Sequence, residues 1–420
     1  MDLMTLVGTI RQCVQDIPAK DGRAEIGPRP FLVTLIFSFC RDTGQRTLTS
    51  LRRSMAATTG TLLARSTFWE RLATQRLLTQ LTTVTIHLMK TLTAQCAVTP
   101  KLLASLGVTG VLLLDSSSTT LPDDAASTFP APRKNVAPAA IKWHLLIDVL
   151  KGAMEWFEVT PAVQHDRKSV PPFDQLKGKL LLFDLGYWDT ALLAAIADIG
   201  YFLCRVKATA TIRVLQVIEG FPKHAFREQP FLDQRGPTKR RSNIVEVLGE
   251  LYCHGKPVVQ ARVIGFWNPV DHLYHWYLTN LQVPVRLIYP LYRLRWQIEL
   301  VFKAAKSSLR LADMPSANDR IIRSLMLVAI IGHLIAHPLS RYLAQELIAD
   351  KQLAVSYQRA AMILVHLSET FRDYLLRPTR RVFQVLCEKL ALLVPELYDP
   401  NYRHRDTSLQ RVYKLVESEA

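Results

Sequence analysis

Apolar side chains recur at helical spacing near both ends of this 420-residue chain, and in short runs through its middle. Residues 1–105 and 311–420 therefore predict helices. The short runs are bounded by Gly, Ser or Asp, as buried strands are. They predict strands at 110–115, 142–149, 154–159, 180–184 and 201–206, with a helix over 188–199. This alternation of strand and helix indicates an α/β fold.

Two of the predicted strands end in an acid. Asp115 closes the run GVLLLD, and Asp184 closes the run KLLLFD. The tip of a buried strand lies at a sheet edge, where the ligands of α/β proteins bind. Hydroxyl and Gly residues follow each acid, in SSSTT and in LGYWD, and they favour turns around an exposed site. Taken alone, either Asp is better explained as a turn residue or a helix cap.

A third acid stands in the segment YRLRWQIELVFKAAK, residues 292–306, which predicts a single helix. At about 100° per residue, a stripe roughly 60° wide holds four polar side chains: Tyr292, Arg295, Glu299 and Lys306. The opposite side predicts a buried face: Leu294, Ile298, Val301 and Ala305. Arg295 and Glu299 are also spaced as an ordinary surface ion pair, which is the plainer interpretation.

Two strand ends and one helix thus offer three carboxylates, from Asp115, Asp184 and Glu299. Hard divalent cations prefer oxygen ligands, and Mg²⁺ is commonly held by a few carboxylates together with water and substrate phosphate. Cationic and phenolic groups beside one acid suit contacts to phosphate. The pattern therefore predicts a magnesium site that handles a phosphate-bearing substrate.

The order Asp, Asp, Glu, with the spacing Y-x2-R-x3-E-x6-K around the Glu, resembles the DDE transposases of bacterial insertion sequences. It is similar in particular to the subgroup known by this Tyr-Arg-Glu-Lys signature, the insertion sequence four family. The resemblance covers about residues 105–310. It includes the segments 141–166, 184–189, 202–207 and 277–281.

This resemblance implies a cut-and-paste DNA transposase. Such an enzyme binds the inverted-repeat ends of an insertion sequence, cleaves them by metal-dependent phosphodiester hydrolysis, and joins the 3′ ends to target DNA. The resemblance implies that Asp115, Asp184 and Glu299 hold two Mg²⁺ ions, for which Mn²⁺ can substitute. The expected partners are double-stranded DNA and a second protomer, in a homodimer on paired ends. The expected location is the bacterial cytoplasm, on the nucleoid.

The resemblance also assigns residues to DNA. Tyr292, Arg295 and Lys306 are expected to contact phosphate near the scissile bond. Trp276 matches the position where relatives stack a flipped base during cleavage through a hairpin. A Trp packed in the core is the alternative, and Trp296 and then Trp188 are the next candidates. Further basic residues expected near DNA are Lys142, Arg205, Lys207, Lys239, Arg240 and Arg241.

The implied fold is a ribonuclease-H-like α/β core with a β-rich insertion, flanked by helical N- and C-terminal regions. The expected boundaries are 1–105 for a DNA-binding region, 106–207 and 275–310 for the core, 208–274 for the insertion and 311–420 for dimerising helices. A helix-turn-helix and plain helical packing are both open interpretations of the first region. Its candidate DNA contacts are Arg52, Arg53, Arg65 and Arg71.

Composition agrees with a polyanionic partner. Lys and Arg number 52 against 36 Asp and Glu, a net charge of +16 that favours phosphate backbones through counterion release. A protein with an acidic face or an anionic membrane surface would be favoured too. The six scattered cysteines predict reduced thiols. The apolar segment 324–339 is interrupted by histidines, and it predicts a buried helix and no membrane span.

Some alternatives stay open at this level. Asp148 or Asp166 could replace Asp184 as the second acid if the resemblance is set aside. Lys142 and His144 are expected near the active sheet, where a supporting role is the alternative. As a whole, the chain could be a metal-dependent nuclease that never joins strands. It could also be a DNA-binding protein derived from a transposase that no longer turns over.

Overall fold

The computed structural model describes residues 3–22, 24–40, 47–94, 100–133, 135–222, 226, 230–233, 242–307, 314–346, 357–397 and 408–418. The strands are β1 Val111–Thr120, β2 Ala140–Asp148, β3 Ala153–Pro161, β4 Leu180–Phe183, β5 Tyr201–Arg205, β6 Thr211–Glu219, β7 Ile244–Cys253, β8 Lys256–Asn268 and β9 Leu273–Thr279. The helices before β1 are α1 Leu3–Gln15, α2 Pro28–Cys40, α3 Leu48–Thr59, α4 Arg65–Leu72, α5 Gln75–Ala94 and α6 Pro100–Leu106. The later helices are α7 Thr190–Ile199, α8 Val285–Arg293, α9 Trp296–Ser307, α10 Asp319–Glu346, α11 Tyr357–His366, α12 Ser368–Leu376, α13 Arg380–Leu393 and α14 Ser408–Glu417.

The nine strands of the described residues form one sheet, in the order β3-β2-β1-β4-β5-β9-β8-β7-β6. At its centre β1, β4 and β5 run parallel, and the other neighbouring strands are antiparallel. The core strands agree with the predicted ones to within a few residues, except that β1 continues through SSSTT. These residues were expected to turn, but they pair with β2 as far as Thr120. The fold is therefore mixed α/β.

Side chains alternate between the two faces of this sheet. In β1, Val111 and Leu113 pack into the larger core, on the side where α5, α9 and α10 contact the sheet. We call this side the helical face. Leu112 and Leu114 pack into a second core on the opposite side, together with residues of α7. We call that side the α7 face. Within each strand, every second residue can thus be assigned to the same face.

The predicted insertion does not form a separate sheet. β6, β7 and β8 lie within 208–274 as expected, but β9 pairs with both β8 and the core strand β5. Strands β6, β7 and β8 therefore extend the core sheet as one continuous layer. Arg262 of β8 ties this layer to the chain entering α8. It pairs with buried Glu246 at 2.6 Å and donates to the carbonyl oxygens of Leu281 and Val283.

The segment 292–306 is not one helix, which corrects the prediction. α8 ends and α9 begins on either side of Leu294 and Arg295. The amides of these two residues donate to carbonyl oxygens three residues back instead of four. Such bonds tighten the chain to about three residues per turn, so the polar stripe does not continue straight. Tyr292 consequently lies on α8, Glu299 lies on α9, and Arg295 lies at the junction.

The first helical region contains two successive helices, α3 and α4, at the position predicted for a helix-turn-helix. Two of its four candidate arginines are engaged within the fold. Arg52 donates to a backbone carbonyl across the turn, and Arg71 donates to another and lies 4.0 Å over the ring of Phe31. Arg53 and Arg65 are exposed. Only these last two remain available for an external partner.

The helices after residue 311 pack against the rest of the chain. Phe371 of α12 stacks on Phe37 of α2 with ring centroids 6.2 Å apart, and Arg372 donates to Thr58 of α3. α14 packs against α8. By length and composition alone α10 could cross a membrane, but 89% of an apolar 18-residue window within Asp319–Ser340 is buried inside the protein. As predicted, this apolar segment is a buried helix.

Candidate active site

The register of the parallel strands brings two acids to one edge. Leu114 of β1, Phe183 of β4 and Cys204 of β5 are aligned side by side. The next residues in the three strands are Asp115, Asp184 and Arg205. Adjacent strands lie about 4.8 Å apart, so these three are close neighbours. They continue the alternation of Leu113 and Leu182, which pack on the helical face. Both acids therefore lie at the carboxyl edge of the parallel strands, on the side of α8 and α9.

Arg295 links an acid of the sheet to the acid of the helix. Its Nη1 donates to Asp115 Oδ2 at 2.8 Å, and its Nη2 donates to Glu299 Oε1 at 2.6 Å. The side chains of Arg295 and Asp115 are each only 16% exposed. Charge-assisted bonds of this kind are stronger than neutral ones, and partial burial reduces their screening. The pairing of Arg295 with Glu299 is therefore part of a cluster and not an isolated surface ion pair.

The acids of this cluster influence one another. Burial raises the pKa of Asp115 from 3.8 to about 6. The Ser116 amide, which donates to Oδ1 at 2.8 Å, and the Arg295 cation both act to lower this pKa. The charges of Asp184 and Glu299 act to raise it. Three acids from two strands and a helix thus concentrate negative charge at one place.

Tyr292 and Lys306 complete the polar set. The guanidinium carbon of Arg295 lies 5.8 Å from the centroid of the buried Tyr292 ring. Burial alone would lower the pKa of Arg295, but Tyr292 and the three acids raise it above its usual value, so Arg295 stays cationic. Lys306 Nζ donates to the carbonyl oxygen of Ser118 in β1 at 2.6 Å, and burial lowers the pKa of this amine. Arg295 and Lys306 therefore contact β1 directly, and Tyr292 and Glu299 lie beside Arg295.

The chemistry of the cluster suits a divalent cation, because its donors are hard carboxylate oxygens that repel one another. In the part of the chain that the structure describes, no three His, Cys, Asp or Glu side chains converge closely enough to ligate one ion. Arg295 instead supplies the positive charge between Asp115 and Glu299. The acids fit a metal in type and charge, and the guanidinium occupies the space between two of them.

Two predicted DNA-contacting residues border the acids. Arg205 is aligned beside Asp184, and Lys207 follows just beyond β5; both are exposed. They place positive charge next to the acidic edge. Three other predicted contacts lie outside the described residues: Lys239, Arg240 and Arg241.

Lys142, a predicted DNA contact with a supporting role as the alternative, does not join the acids. Its neighbours in β2, Ile141 and Trp143, pack on the helical face, so Lys142 points to the α7 face. There its Nζ donates to Asp166 Oδ1 at 2.7 Å and to the carbonyl oxygen of Gln164 at 2.9 Å. This side chain is engaged within the protein, behind the strand that carries Asp115.

The two alternative acids have other places in the structure. Asp166 is the ion-pair partner of Lys142 on the α7 face. Asp148 lies at the far end of β2, where its Oδ1 accepts from the amides of Leu150 and Lys151 in the turn to β3. Asp184 is therefore the acid that the sheet places beside Asp115.

Trp276 is a core residue in this structure, which corrects its assignment to base stacking. Only 5% of it is exposed, and its ring packs over Gly265 of β8, where an added Cβ would lie 2.8 Å from the indole. The pairing of Trp276 with Gly265 leaves room for the ring inside the sheet. Trp188 is also buried, whereas Trp296 at the start of α9 is 54% exposed. Of the three candidates, Trp296 offers a free aromatic face.

The sequence did not predict a buried pair behind the acids. Tyr187 Oη lies 2.7 Å from His144 Nδ1, although the two residues are 43 positions apart. The available signal was faint: Tyr187 ends the D-L-G-Y turn that follows Asp184, and His144 was expected only to support the sheet. Their contact depends on the packing of that turn behind β2.

Residues 107–335, which include all three acids, match the protein family described as Transposase DDE domain. The chain is 22% identical over 246 residues to the transposase for insertion sequence element IS1151 from Clostridium perfringens, an alignment that covers 47% of the chain and 50% of that protein. It is 22% identical over 333 residues to the transposase for insertion sequence element IS231C from Bacillus thuringiensis subsp. berliner, which covers 67% of each. The chain thus spans about half the length of the first relative and two thirds of the second.

Proposed function

Because the chain belongs to the transposase DDE domain family, we propose that it is a cut-and-paste transposase that acts on the ends of a bacterial insertion sequence. Its Tyr292, Arg295, Glu299 and Lys306 pattern supports a narrower place in the insertion sequence four family. The observation that carries the proposal is the gathering of Asp115, Asp184 and Glu299 at one sheet edge, with cations beside them.

The proposed core is ribonuclease-H-like. Three antiparallel strands, β3-β2-β1, are followed across the sheet by β4 and β5 parallel to β1. This order supports the proposal, since Asp115 of β1 and Asp184 just after β4 are then neighbours that face the helix carrying the third acid. Residues 208–274 would be an insertion in this core, 1–105 the region that recognises the element's ends, and 311–420 helices that pair two protomers.

Transposases of this family generally use divalent metal ions, and the residues proposed to hold two Mg²⁺, or Mn²⁺ in its place, are Asp115, Asp184 and Glu299. When bound, Mg²⁺ supplies an activated water and neutralises charge on the leaving oxygen. The acids contribute oxygen ligands from three separate elements. β1 carries Asp115, the turn after β4 carries Asp184, and α9 carries Glu299.

The cations are proposed to hold the DNA backbone at the scissile phosphate. The two terminal nitrogens of Arg295, which now contact Asp115 and Glu299, suit bidentate contact to phosphate oxygens. Lys306 offers a point charge at the far end of α9, and Tyr292 offers a phenol that burial keeps protonated. Arg205 and Lys207 extend this positive border along the sheet edge.

On the transferred strand, the proposed reaction has two balanced displacements. In cleavage, the oxygen of water bonds to phosphorus as the bond to the 3′ oxygen breaks, which leaves a 3′ hydroxyl on the element's end. In joining, that hydroxyl oxygen bonds to a target phosphorus and displaces a 3′ oxygen of the target strand. One phosphodiester bond then replaces another. Both steps use the same acids and the same phosphate-holding cations.

Second-strand cleavage through a hairpin is part of the proposal. A tight hairpin is relieved by flipping a base onto an aromatic ring. Trp296 supports this role better than Trp276, because it is exposed at the start of the helix that carries Glu299. A homodimer on paired DNA ends and a cytoplasmic location on the nucleoid belong to the same proposal.

The test is incubation of the protein with its flanking inverted repeats in Mg²⁺ or Mn²⁺, with a target plasmid present. Hairpin, nicked and joined species are resolved on a denaturing gel. We expect all cleavage to require the divalent ion, and joined products to appear. Cleavage without joined products would instead support a nuclease. Binding to end DNA without cleavage would support a DNA-binding protein derived from a transposase.

A further inference from the structure

We propose that Tyr187, held by His144, is a positioning residue that sets the separation between the carboxylates of Asp115 and Asp184. This inference rests on the proposed function, because it assumes that these two acids act together. Tyr187 touches neither acid through its phenol. It acts by fixing the turn that carries Asp184 to the back of the strand that carries Asp115.

The acids need such a device because the pairing between their two strands stops just before them, although β2 still pairs with Asp115. The aligned pairing of β1 with β4 ends at Leu114 and Phe183, one residue before each acid. β4 ends there, and Asp184 begins a tight turn in which the Tyr187 amide donates to its carbonyl oxygen at 3.1 Å. Backbone hydrogen bonds between the two strands therefore do not fix the distance between Asp115 and Asp184.

The side chain of Tyr187 supplies the missing connection. Its ring is completely buried on the α7 face, within the core that contains Leu112 and Leu114 of β1. Its Oη lies 2.7 Å from His144 Nδ1 in β2, and His144 is the register partner of Ser116 in β1. Ser116 directly follows Asp115 in the sequence. The phenol thus connects the Asp184 turn to the position next to the first acid.

The direction of these hydrogen bonds is determined by burial. Burial lowers the pKa of His144 to about 4, so its imidazole is neutral. Burial raises the pKa of Tyr187, so its phenol is protonated. The phenol therefore donates to Nδ1, and Nε2 carries the hydrogen that it donates to Thr160 Oγ1 at 3.1 Å. This chain of donors and acceptors has one consistent arrangement from the Asp184 turn through β2 to β3.

A second contact holds the same turn from outside. Lys142 of β2 fixes the carboxylate of Asp166 at 2.7 Å. A Cβ added at Gly186, in the middle of the turn, would lie 2.5 Å from the other oxygen of that carboxylate. The turn therefore packs directly on an anchored side chain, and Gly is the residue that permits this approach. Two independent contacts from β2 thus restrict the turn after Asp184.

The test compares full-length variants for the Mg²⁺ concentration that gives half-maximal cleavage of end DNA, and for Mn²⁺ binding measured by electron paramagnetic resonance. Tyr187→Phe removes one oxygen and keeps the ring. Because groups that orient metal ligands typically affect metal affinity by about tenfold or more, we expect its Mg²⁺ midpoint to rise about tenfold. His144→Leu should raise the midpoint similarly. The double variant should raise it little further, because each single variant already breaks the same connection between Tyr187 and His144.

Controls separate positioning from a general loss of stability. Tyr274→Phe removes another largely buried phenol of the sheet, one that hydrogen-bonds to Ser242, and should leave the midpoint unchanged. His144→Asn places an amide oxygen near the Nδ1 position and should restore most of the metal affinity. Thermal denaturation of each variant identifies losses that are only structural.

Equal Mg²⁺ midpoints for Tyr187→Phe and Tyr274→Phe, with a wild-type protein that binds Mn²⁺ and cleaves DNA, would overturn the positioning role and leave the proposed function intact. A wild-type protein that binds no Mn²⁺ and cleaves nothing would overturn both. A raised Mg²⁺ midpoint in Tyr187→Phe, together with a midpoint near the wild-type value in His144→Asn, would support the inference.

Discussion

Arg295 donates a hydrogen bond of 2.8 Å to Asp115, although 180 residues separate them along the chain. The same guanidinium binds Glu299 at 2.6 Å, so one cation neutralises acids from the sheet and from the helix. A divalent ion held by these acids would favour the same position. We therefore expect Arg295 and the metal to compete for the carboxylates, and Arg295 to be released towards phosphate as the metal binds.

Arg295→Ala tests this competition. Removing a part-buried cation leaves Asp115 and Glu299 repelling, so we expect the metal-free protein to lose about 2 kcal/mol of unfolding free energy. Mg²⁺ should then raise the melting temperature of the variant more than that of the wild type, as differential scanning fluorimetry can show. Arg293→Ala, at an exposed position on the same turn, is the control. Equal Mg²⁺-induced shifts in wild type and Arg295→Ala would rule out competition.

The raised pKa of Asp115 predicts a dependence of stability on pH. A folded-state pKa of about 6 against 3.8 means that the folded protein binds this proton more tightly than the unfolded chain does. The resulting stabilisation is fully present below about pH 4 and is lost as the pH rises through 6, by up to about 3 kcal/mol. The variant Asp115→Asn has no carboxyl group here and should not show this loss. In urea denaturation with EDTA, the difference in unfolding free energy between wild type and variant should therefore change between pH 4 and 7. Asp198→Asn, an exposed acid on α7, should follow the wild type. A constant difference for Asp115→Asn would contradict the prediction.

Glu299→Gln should keep the fold and DNA binding while abolishing cleavage, because it removes one ligand charge and little volume. The measurement is nicking of element-end DNA in Mg²⁺, beside a binding assay of the same preparation. Glu388→Gln, an exposed change on α13, should cleave normally. Nicking by Glu299→Gln at the wild-type rate would show that the third acid is misassigned.

Arg205 and Lys207 predict a salt-dependent interface. If each contacts a DNA phosphate, replacing either with Ala should reduce the slope of log binding constant against log salt concentration by about 1. Fluorescence anisotropy with element-end DNA at several salt concentrations measures this slope. Lys177 is exposed before β4, at the opposite edge of the sheet, and Lys177→Ala should leave the slope unchanged. A slope that none of these changes alters would place the DNA elsewhere.

Gly186→Ala should destabilise the protein by about 1–3 kcal/mol, because the new methyl group would meet the carboxylate of Asp166 at 2.5 Å. The carboxylate must then leave its pair with Lys142 or displace the turn. Asp166→Ala in the same chain removes the clash, so chemical denaturation of the double variant should show a smaller loss than the two single losses together. Strictly additive losses would indicate that the two residues do not meet.

The local elements were accessible from the sequence because each depends on neighbours along the chain. Short apolar runs predicted the five core strands to within a few residues, apart from the extension of β1. The run KLLLFD correctly placed Asp184 at a strand tip, whereas Asp115 lies within β1, because that strand continues to Thr120. The extension of β1 through SSSTT was missed, because those residues resemble a turn until β2 pairs with them. The break before α9 was missed for a related reason: helical spacing describes the side chains and does not specify which carbonyl each amide uses.

The tryptophan predictions show most directly what a sequence pattern cannot determine. Trp276 and Trp296 are both plausible stacking residues in the sequence, yet one is 5% exposed and the other 54%. Whether a ring is free depends on what lies opposite it, and the partner of Trp276 is Gly265 in another strand. Such a partner is set by strand register and cannot be read from either segment alone.

The sequence by itself determined the acids, the signature spacing and the basic character, since residue type and short-range periodicity fix charge, chemistry and local conformation. Only the tertiary structure decided that β9 joins β8 to β5, that Arg295 lies between Asp115 and Glu299, and that Tyr187 meets His144 behind the sheet. These relationships depend on strand order, register and face, which arise from contacts between segments far apart in the chain.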